Sequence, residues 1–132
     1  MSGAFERDAL EASLRQLRTL PIGYEEKGYA NVGGATPESL ASLRQTPSEL
    51  TLTLPLMVLR DRALDSNVRT LASWCAAHGA LLAPHAKSTM SPQIVARQLE
   101  RGAWAITVAS FGQLRVLYGF GVRRFLVANE IT

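Results

Sequence analysis

Three glycines in the second half of the chain each stand directly before a short apolar run. They are Gly79, Gly102 and Gly121, spaced 23 and 19 residues apart. The apolar runs predict strands over residues 80–85, 103–108 and 122–127. A repeated order of strand, loop, helix and glycine is typical of parallel βαβ units, so the repeat predicts an α/β fold.

Helix starts follow the first two of these strands. Ser91, with Pro92 at the first helical position, predicts one helix, and Ser110 with Gln113 has the spacing of a capping box. This spacing does not separate a (β/α)8 barrel from an open doubly wound sheet. Because the units are short and even, and no glycine-rich nucleotide fingerprint follows a strand, we expect the first βα units of a (β/α)8 TIM-type barrel.

The same pattern extends upstream, so we assign residues 51–132 to the first part of the barrel. The run 55–59 ends at charged residues and predicts a buried strand. Apolar residues spaced four, three and four then predict one stripe on a helix: Leu64, Val68, Leu71 and Cys75. Asp65 or Ser66 can cap the start of this helix, and Gly79 can end it.

Residues 1–50 form a predicted preface to this domain. Apolar residues near helical spacing predict a helix over residues 5–20, and five turn-forming residues predict a loop over 21–35. Thr36 can cap a short helix whose first residue is Pro37.

Composition excludes several classes of protein. Of the 132 residues, 47% are hydrophobic and 19% are charged, which is typical of a globular domain and not of a disordered chain. No apolar run approaches the roughly 20 residues that a membrane helix needs, and no secretory signal is expected at the N-terminus. The single cysteine, Cys75, cannot form an internal disulfide, which fits a cytoplasmic protein. We expect it on a buried helix face.

The net charge of +3 is unevenly distributed. Residues 1–50 carry five basic and seven acidic side chains, whereas residues 51–132 carry nine and four. The arginines of the second part are dispersed and do not cluster with aromatic residues. We therefore expect a solvated surface and no binding to nucleic acid.

The predicted strands end in polar residues, and functional groups of parallel α/β folds gather at such ends. Lys87 lies at one of them, and it is the only lysine after residue 27. A lysine amine can form a Schiff base with an aldehyde, which arginine cannot. From spacing alone, a solvated surface lysine is the equal alternative. His85 points to the same face as Lys87 on an extended chain, where it lines a site or packs inside the fold.

Taken together, these strand ends resemble the D-serine dehydratase and D-threonine aldolase family, and most nearly its amino-acid deaminase branch. The similar blocks are Pro84–Thr89, Ser91-Pro92, Gly102, Ile106–Ala109 and Val127–Glu130. The upstream run Pro55–Leu59 and Asn67 also match. The resemblance covers the chain from about residue 52 to its end.

The resemblance implies a fold-type III enzyme with an alanine racemase-like barrel that binds pyridoxal 5'-phosphate. It implies that Lys87 forms the Schiff base, and that His85, Thr107 and Asn129 face the cofactor at neighbouring strand ends. The implied activity is a lyase reaction on a small D-amino acid, as in D-serine deaminase. The metal ligands of the family lie in a C-terminal domain, so no metal site is expected in this chain.

The resemblance also implies that this chain is an N-terminal fragment, inactive unless the remaining barrel strands complete it. The groups that choose between deamination, aldol cleavage and racemisation lie mostly outside it. The alternative is a non-catalytic interaction or scaffold remnant of the same fold. In either case, unpaired edge strands favour self-association or pairing with a missing C-terminal half.

Overall fold

Two parallel strands form the sheet of the computed structural model, which describes residues 3–26, 28–46, 49, 53, 55 and 57–130. Strand β1, Ile106–Val108, lies beside β2, Phe125–Val127, with Val108 opposite Val127. The helix between them, Phe111–Gly119, completes one βαβ unit. The mixed α/β character and the parallel pairing are confirmed, whereas the described residues do not form a barrel.

The helices are α1, Arg7–Thr19; α2, Pro37–Ser42; α3, Asp61–Ala77; α4, Pro92–Glu100; and α5, Phe111–Gly119. A short 3-10 helix covers Ala30–Val32. The chain divides into two compact units. The larger unit comprises Met1–Leu14 and Arg60–Thr132, and the smaller unit comprises Arg15–Leu59. In the described part of the chain, no helix is both long and apolar enough to cross a lipid bilayer.

The segment before Lys87 pairs with the other edge of β1, but through a single bridge. His85 lies opposite Thr107 in parallel register. The next pair of the ladder would need an N–H at residue 84 to reach the carbonyl of Ala105, and Pro84 has none. The strand predicted over 80–85 is therefore wrong in extent: the segment is extended but bonded as a strand at one residue only.

The other two predicted strands are also longer than the observed ones. Ahead of β1, the amides of Trp104 and Ala105 both point at the carbonyl of Leu82, at 2.8 and 3.5 Å, so a regular ladder does not begin. Ahead of β2, Val122 forms an antiparallel bridge with Phe5. The residues ahead of β1 and β2 are thus hydrogen-bonded to Leu82 and bridged to Phe5, respectively, and the local sequence does not reveal these partners.

The described part of the predicted strand over 55–59 is not a strand, and that prediction is wrong for those residues. Met57 is 89% exposed, Val58 62% and Leu59 59%. Leu56 lies outside the described residues. An apolar run becomes a buried strand only where a neighbouring strand takes its backbone hydrogen bonds, and no described strand does so here.

Helix α3 begins earlier than the sequence predicts. Its N-cap is Arg60, without a side-chain cap, and Asp61 stands in the first turn. A carboxylate there interacts favourably with the helix dipole, so neither Asp65 nor Ser66 is needed as a cap and that prediction is wrong. The predicted end at Gly79 is confirmed, with φ at 64° in the left-handed region that favours glycine.

The apolar stripe of α3 is only partly buried. Cys75 is buried, as predicted, and Leu64 and Val68 are half-buried. Leu71 is 48% exposed, so the stripe does not pack along its whole length.

Helices α4 and α5 begin at the predicted caps. The hydroxyl of Ser91 accepts a hydrogen bond from the amide of Ile94 at 3.4 Å. The hydroxyl of Ser110 accepts one from the amide of Gln113 at 3.3 Å. The side chain of Gln113 accepts its return bond from the amide of Ala109, at 2.8 Å, one residue earlier than in a standard capping box.

The core of the larger unit lies between one face of the sheet and helices α1, α4 and α5. Its largest fully buried side chains are Leu10, Val95, Ile106, Val108, Leu117 and Val122. The helix predicted over 5–20 is confirmed but begins at Arg7, because Phe5 is extended in its bridge with Val122.

The smaller unit contains the short helix that the sequence predicts. Thr36 and Ser39 form a capping box at the start of α2, with Pro37 as its first residue. The residues before it are irregular, as predicted, apart from the short 3-10 helix. Ile22 closes this loop by donating to the carbonyl of Ala35, at 2.7 Å, and by accepting from the amide of Gly34, at 2.8 Å.

Candidate functional site

Lys87 lies in a tight turn immediately after the extended segment that pairs with β1. The carbonyl of Ala86 accepts hydrogen bonds from the amides of Thr89, at 3.2 Å, and Met90, at 2.8 Å. Met90 has a φ of 45°, a strained conformation for a residue with a side chain, and it packs against the core. The backbone is therefore held on both sides of Lys87.

The side chain of Lys87 is exposed. Among the described residues, its amine has no hydrogen-bond or ion-pair partner. Many of the chain's arginines, in contrast, are engaged in ion pairs, such as Arg97 with Asp61 and Arg101 with Asp65. This exposure is what the alternative of a solvated surface lysine predicts, and it also leaves the amine of Lys87 accessible to an aldehyde.

His85 is exposed and lies on the sheet face opposite the core. Alternate side chains of an extended segment point to opposite faces. Ala86, which is 2% exposed, faces the core, so His85 faces away from it, on the same side as its partner Thr107. A histidine packed inside the fold, the alternative considered from the sequence, is not observed.

Thr107 lies in the middle of β1 and is 3% exposed. Its hydroxyl donates a hydrogen bond to the carbonyl of Ala83 at 2.6 Å. The hydroxyl is therefore engaged by the segment that leads to Lys87. A direct contact between Thr107 and a cofactor stays a prediction.

Asn129 follows β2 and is exposed. Its side-chain amide donates to the carbonyl of Ala109, just beyond β1, at 2.7 Å. The amide of Ala128 donates to the carbonyl of Val108 at 2.9 Å. Asn129 thus joins the carboxyl ends of β1 and β2, and its predicted contact with a cofactor stays a prediction.

The register places His85 and Thr107 side by side within three adjacent parallel segments, and Lys87 and Asn129 lie just beyond the carboxyl edge of these segments. His85 is paired with Thr107, and Thr107 is paired with Leu126 of β2. Lys87 and Asn129 follow the first and third of these segments. Ligand sites of parallel α/β folds form at this edge, since the loops there leave the strands in the same direction.

Two features of the site are not evident in the sequence. The left-handed conformation of Met90 has no sequence signal, because glycine or asparagine is the usual residue there. The sequence identifies Gln113 as a helix-cap residue, but it does not reveal that Gln113 bonds the amide of Ala109 while Asn129 bonds the carbonyl of that residue. Over the residues that the structure describes, no three His, Cys, Asp or Glu side chains form a group able to hold a metal ion.

Comparison with known proteins finds a distant and partial similarity. No protein-family profile matches the chain. A D-threonine aldolase from an Arthrobacter species is 30% identical to it over 77 residues, which make up 58% of this chain. The matched region spans only 20% of that aldolase. The chain is thus weakly and partially similar to a D-threonine aldolase.

Proposed function

We propose that this chain carries the lysine-bearing part of a pyridoxal-phosphate-dependent lyase that acts on small D-amino acids. The observation that carries the proposal is the unengaged amine of Lys87, held on a fixed turn at the carboxyl edge of parallel segments. The partial similarity to a D-threonine aldolase supports the reaction class. In this proposal, the βα units belong to a (β/α)8 barrel, and the activity is of the D-serine deaminase or D-threonine aldolase type.

The residues present fit the reactive end of pyridoxal phosphate. Its aldehyde requires a primary amine, which Lys87 offers without a competing partner among the described residues. The exposed imidazole of His85 can donate or accept a hydrogen bond beside it. Lys87 would hold the cofactor covalently, and His85 and Asn129 would line the same edge.

Pyridoxal phosphate, when bound, supplies an electron sink for negative charge at the Cα atom of an amino acid. When it is not bonded to the cofactor, the amine of Lys87 would take a proton from Cα or return one. The turn at Ala86 to Met90 limits where that amine can reach. Asn129 keeps the ends of β1 and β2 together through the carbonyl of Ala109.

Covalent labelling tests the proposal. The purified chain is incubated with pyridoxal phosphate, reduced with borohydride and digested, and the modified lysine is identified by mass spectrometry. We expect the label on Lys87 and its complete loss in Lys87→Arg, which keeps the charge but cannot form the bond. Lys27→Arg, at the only other lysine, is the matched control and should leave the label on Lys87 unchanged.

Equal labelling of both lysines would mean that Lys87 reacts only as a surface amine. An unlabelled chain that forms a stable oligomer would favour the non-catalytic alternative. Turnover of D-serine or D-threonine by the isolated chain, with the L-enantiomers as controls, would contradict the expectation that the chain is inactive without the remaining barrel strands.

A further inference from the structure

Thr107 makes three hydrogen bonds to the segment that leads into Lys87. Its amide donates to the carbonyl of Pro84 at 2.8 Å, and its carbonyl accepts from the amide of Ala86 at 2.9 Å. Its hydroxyl donates to the carbonyl of Ala83 at 2.6 Å. One residue of β1 therefore holds three residues of this segment.

The bond from the hydroxyl lies where the backbone ladder is weakest. Pro84 has no N–H, so the segment lacks the backbone bond that would precede the His85–Thr107 bridge. Ala83 is half-buried and Thr107 is 3% exposed, which limits the access of water to this bond. If the hydroxyl were removed, the carbonyl of Ala83 would lose its partner in a place where water replaces it poorly.

We propose that Thr107 is a positioning residue for Lys87. Its hydroxyl fixes residues 83–86, and Ala86 in turn accepts the two bonds that close the lysine turn. The start of the turn is thereby fixed relative to β1, and the hydroxyl acts through Ala83 and not through a bond to the amine of Lys87. The effect on the reaction of Lys87 rests on the proposed function, whereas the effect on the segment does not.

Three variants of the full chain test this role. Thr107→Val removes the hydroxyl and keeps the shape, Thr107→Ser keeps the hydroxyl, and Thr70→Val makes the same change on the exposed surface of α3. The first readout is the rate at which pyridoxal phosphate labels Lys87, with borohydride fixation. Since an ordinary hydrogen bond contributes on the order of a tenfold change in an equilibrium, we expect about tenfold slower labelling in Thr107→Val. Thr107→Ser should restore the rate, and Thr70→Val should leave it unchanged.

The second readout is hydrogen exchange of the backbone amides at Ala86 and Met90, which donate to Thr107 and Ala86 and whose exchange does not depend on a cofactor. Exchange there should be faster in Thr107→Val than in Thr107→Ser and the wild type, with the amides of α5 unchanged. If Thr107→Val does not fold, Thr107→Cys replaces it, because a thiol is a weaker donor of similar size.

The outcomes separate this inference from the proposed function. A folded Val or Cys variant with wild-type labelling and wild-type exchange overturns the positioning role. Slower labelling that Thr107→Ser does not restore also overturns it, since shape rather than the hydroxyl would then be responsible. A wild-type chain that never labels contradicts the proposed function, while the exchange comparison still decides whether Thr107 fixes the segment.

Discussion

At the scale of single residues, an ion pair between Glu6 and Arg123 joins two distant parts of the sequence. The guanidinium of Arg123 donates to the carboxylate of Glu6 at 2.7 Å, across 117 positions of sequence. It also donates to the carbonyls of Tyr118, at 2.8 Å, and Val122, at 3.0 Å. The hydrogen bond from Arg123 holds the pKa of the Glu6 carboxyl below its ordinary value of 4.5. The pair therefore makes folding stability depend on pH in the acid range.

Glu6→Gln should remove this dependence. A carboxyl whose pKa is lowered on folding adds stability above its unfolded pKa and loses that contribution as pH falls through its folded pKa. The difference between wild type and variant should thus be present above about pH 4.5 and vanish as the pH falls below that value. It should be small, because exposed ion pairs contribute little. Urea midpoints measured from neutral to acid pH check this.

Glu25→Gln is the control for that titration, because Glu25 is an exposed glutamate of the smaller unit. A difference between wild type and Glu6→Gln that grows as the pH falls would contradict the assigned sign.

At the scale of elements, α1 approaches the turn before Val122 so closely that Gly121 is required there. Gly121 has a φ of 93°, and a Cβ added to it would lie 2.9 Å from the amide nitrogen of Leu10 and 3.0 Å from the carbonyl oxygen of Glu6. Both atoms belong to the backbone, so they cannot move aside as a side chain would. The first residues of α1, which belong to the larger unit, therefore pack directly against this turn.

Gly121→Ala should therefore lower the free energy of unfolding by more than the cost of placing alanine in a left-handed backbone conformation. Gly102→Ala is the matched control, because Gly102 also has a φ of 93° but nothing lies within 4 Å of its added Cβ. Left-handed backbone costs a residue with a side chain roughly 1–2 kcal/mol, which both variants share. The close contact should add about 1–3 kcal/mol in Gly121→Ala alone, measured by urea unfolding. An equal loss of unfolding free energy in the two variants would show that α1 accommodates the added Cβ without further destabilisation.

Helix caps are the elements that local sequence determines best. Thr36, Ser91 and Ser110 each cap the helix that the sequence predicts, because the hydroxyl and the amide that it bonds are three residues apart. The turn at Gly79 is equally local. Strand lengths are not, since a strand exists only where a partner completes its hydrogen bonds. Pro84 and the exposed run at 57–59 illustrate this point, because both are apolar and lie in predicted strands, yet neither has, among the described residues, the full set of backbone hydrogen bonds of a strand.

The same distinction between local and long-range contacts applies to the candidate site. The position of Lys87 beyond an apolar run follows from the sequence, because strand ends in parallel folds collect functional groups. The bond from Thr107 to the carbonyl of Ala83 does not, since it joins residues 24 positions apart. The left-handed Met90 is also set by tertiary packing. Sequence therefore identifies Lys87 as a candidate residue, and the fold supplies the contacts that hold its backbone in place.

On the scale of the whole molecule, the two faces of the sheet differ. Phe125 and Val127 of β2 pack against the core, whereas Leu126 between them is 44% exposed. Leu126 shares the face of His85, which is also exposed. In the described part of the chain, β2 is paired with β1 alone, so its outer edge is open. Open edges with apolar side chains favour association with another strand.

We therefore propose that the isolated chain self-associates through this edge and that Leu126→Lys weakens the association. A lysine there places a charge on the exposed face and leaves the core side of β2 unchanged, which is a common way of protecting an edge strand. Val116→Lys is the matched control, since Val116 is 50% exposed on helix α5. Sedimentation velocity over a range of concentrations should show larger species for the wild type and Val116→Lys, and a shift to monomer for Leu126→Lys. A wild-type chain that stays monomeric throughout, or an equal shift in both variants, would rule out the edge of β2 as the contact.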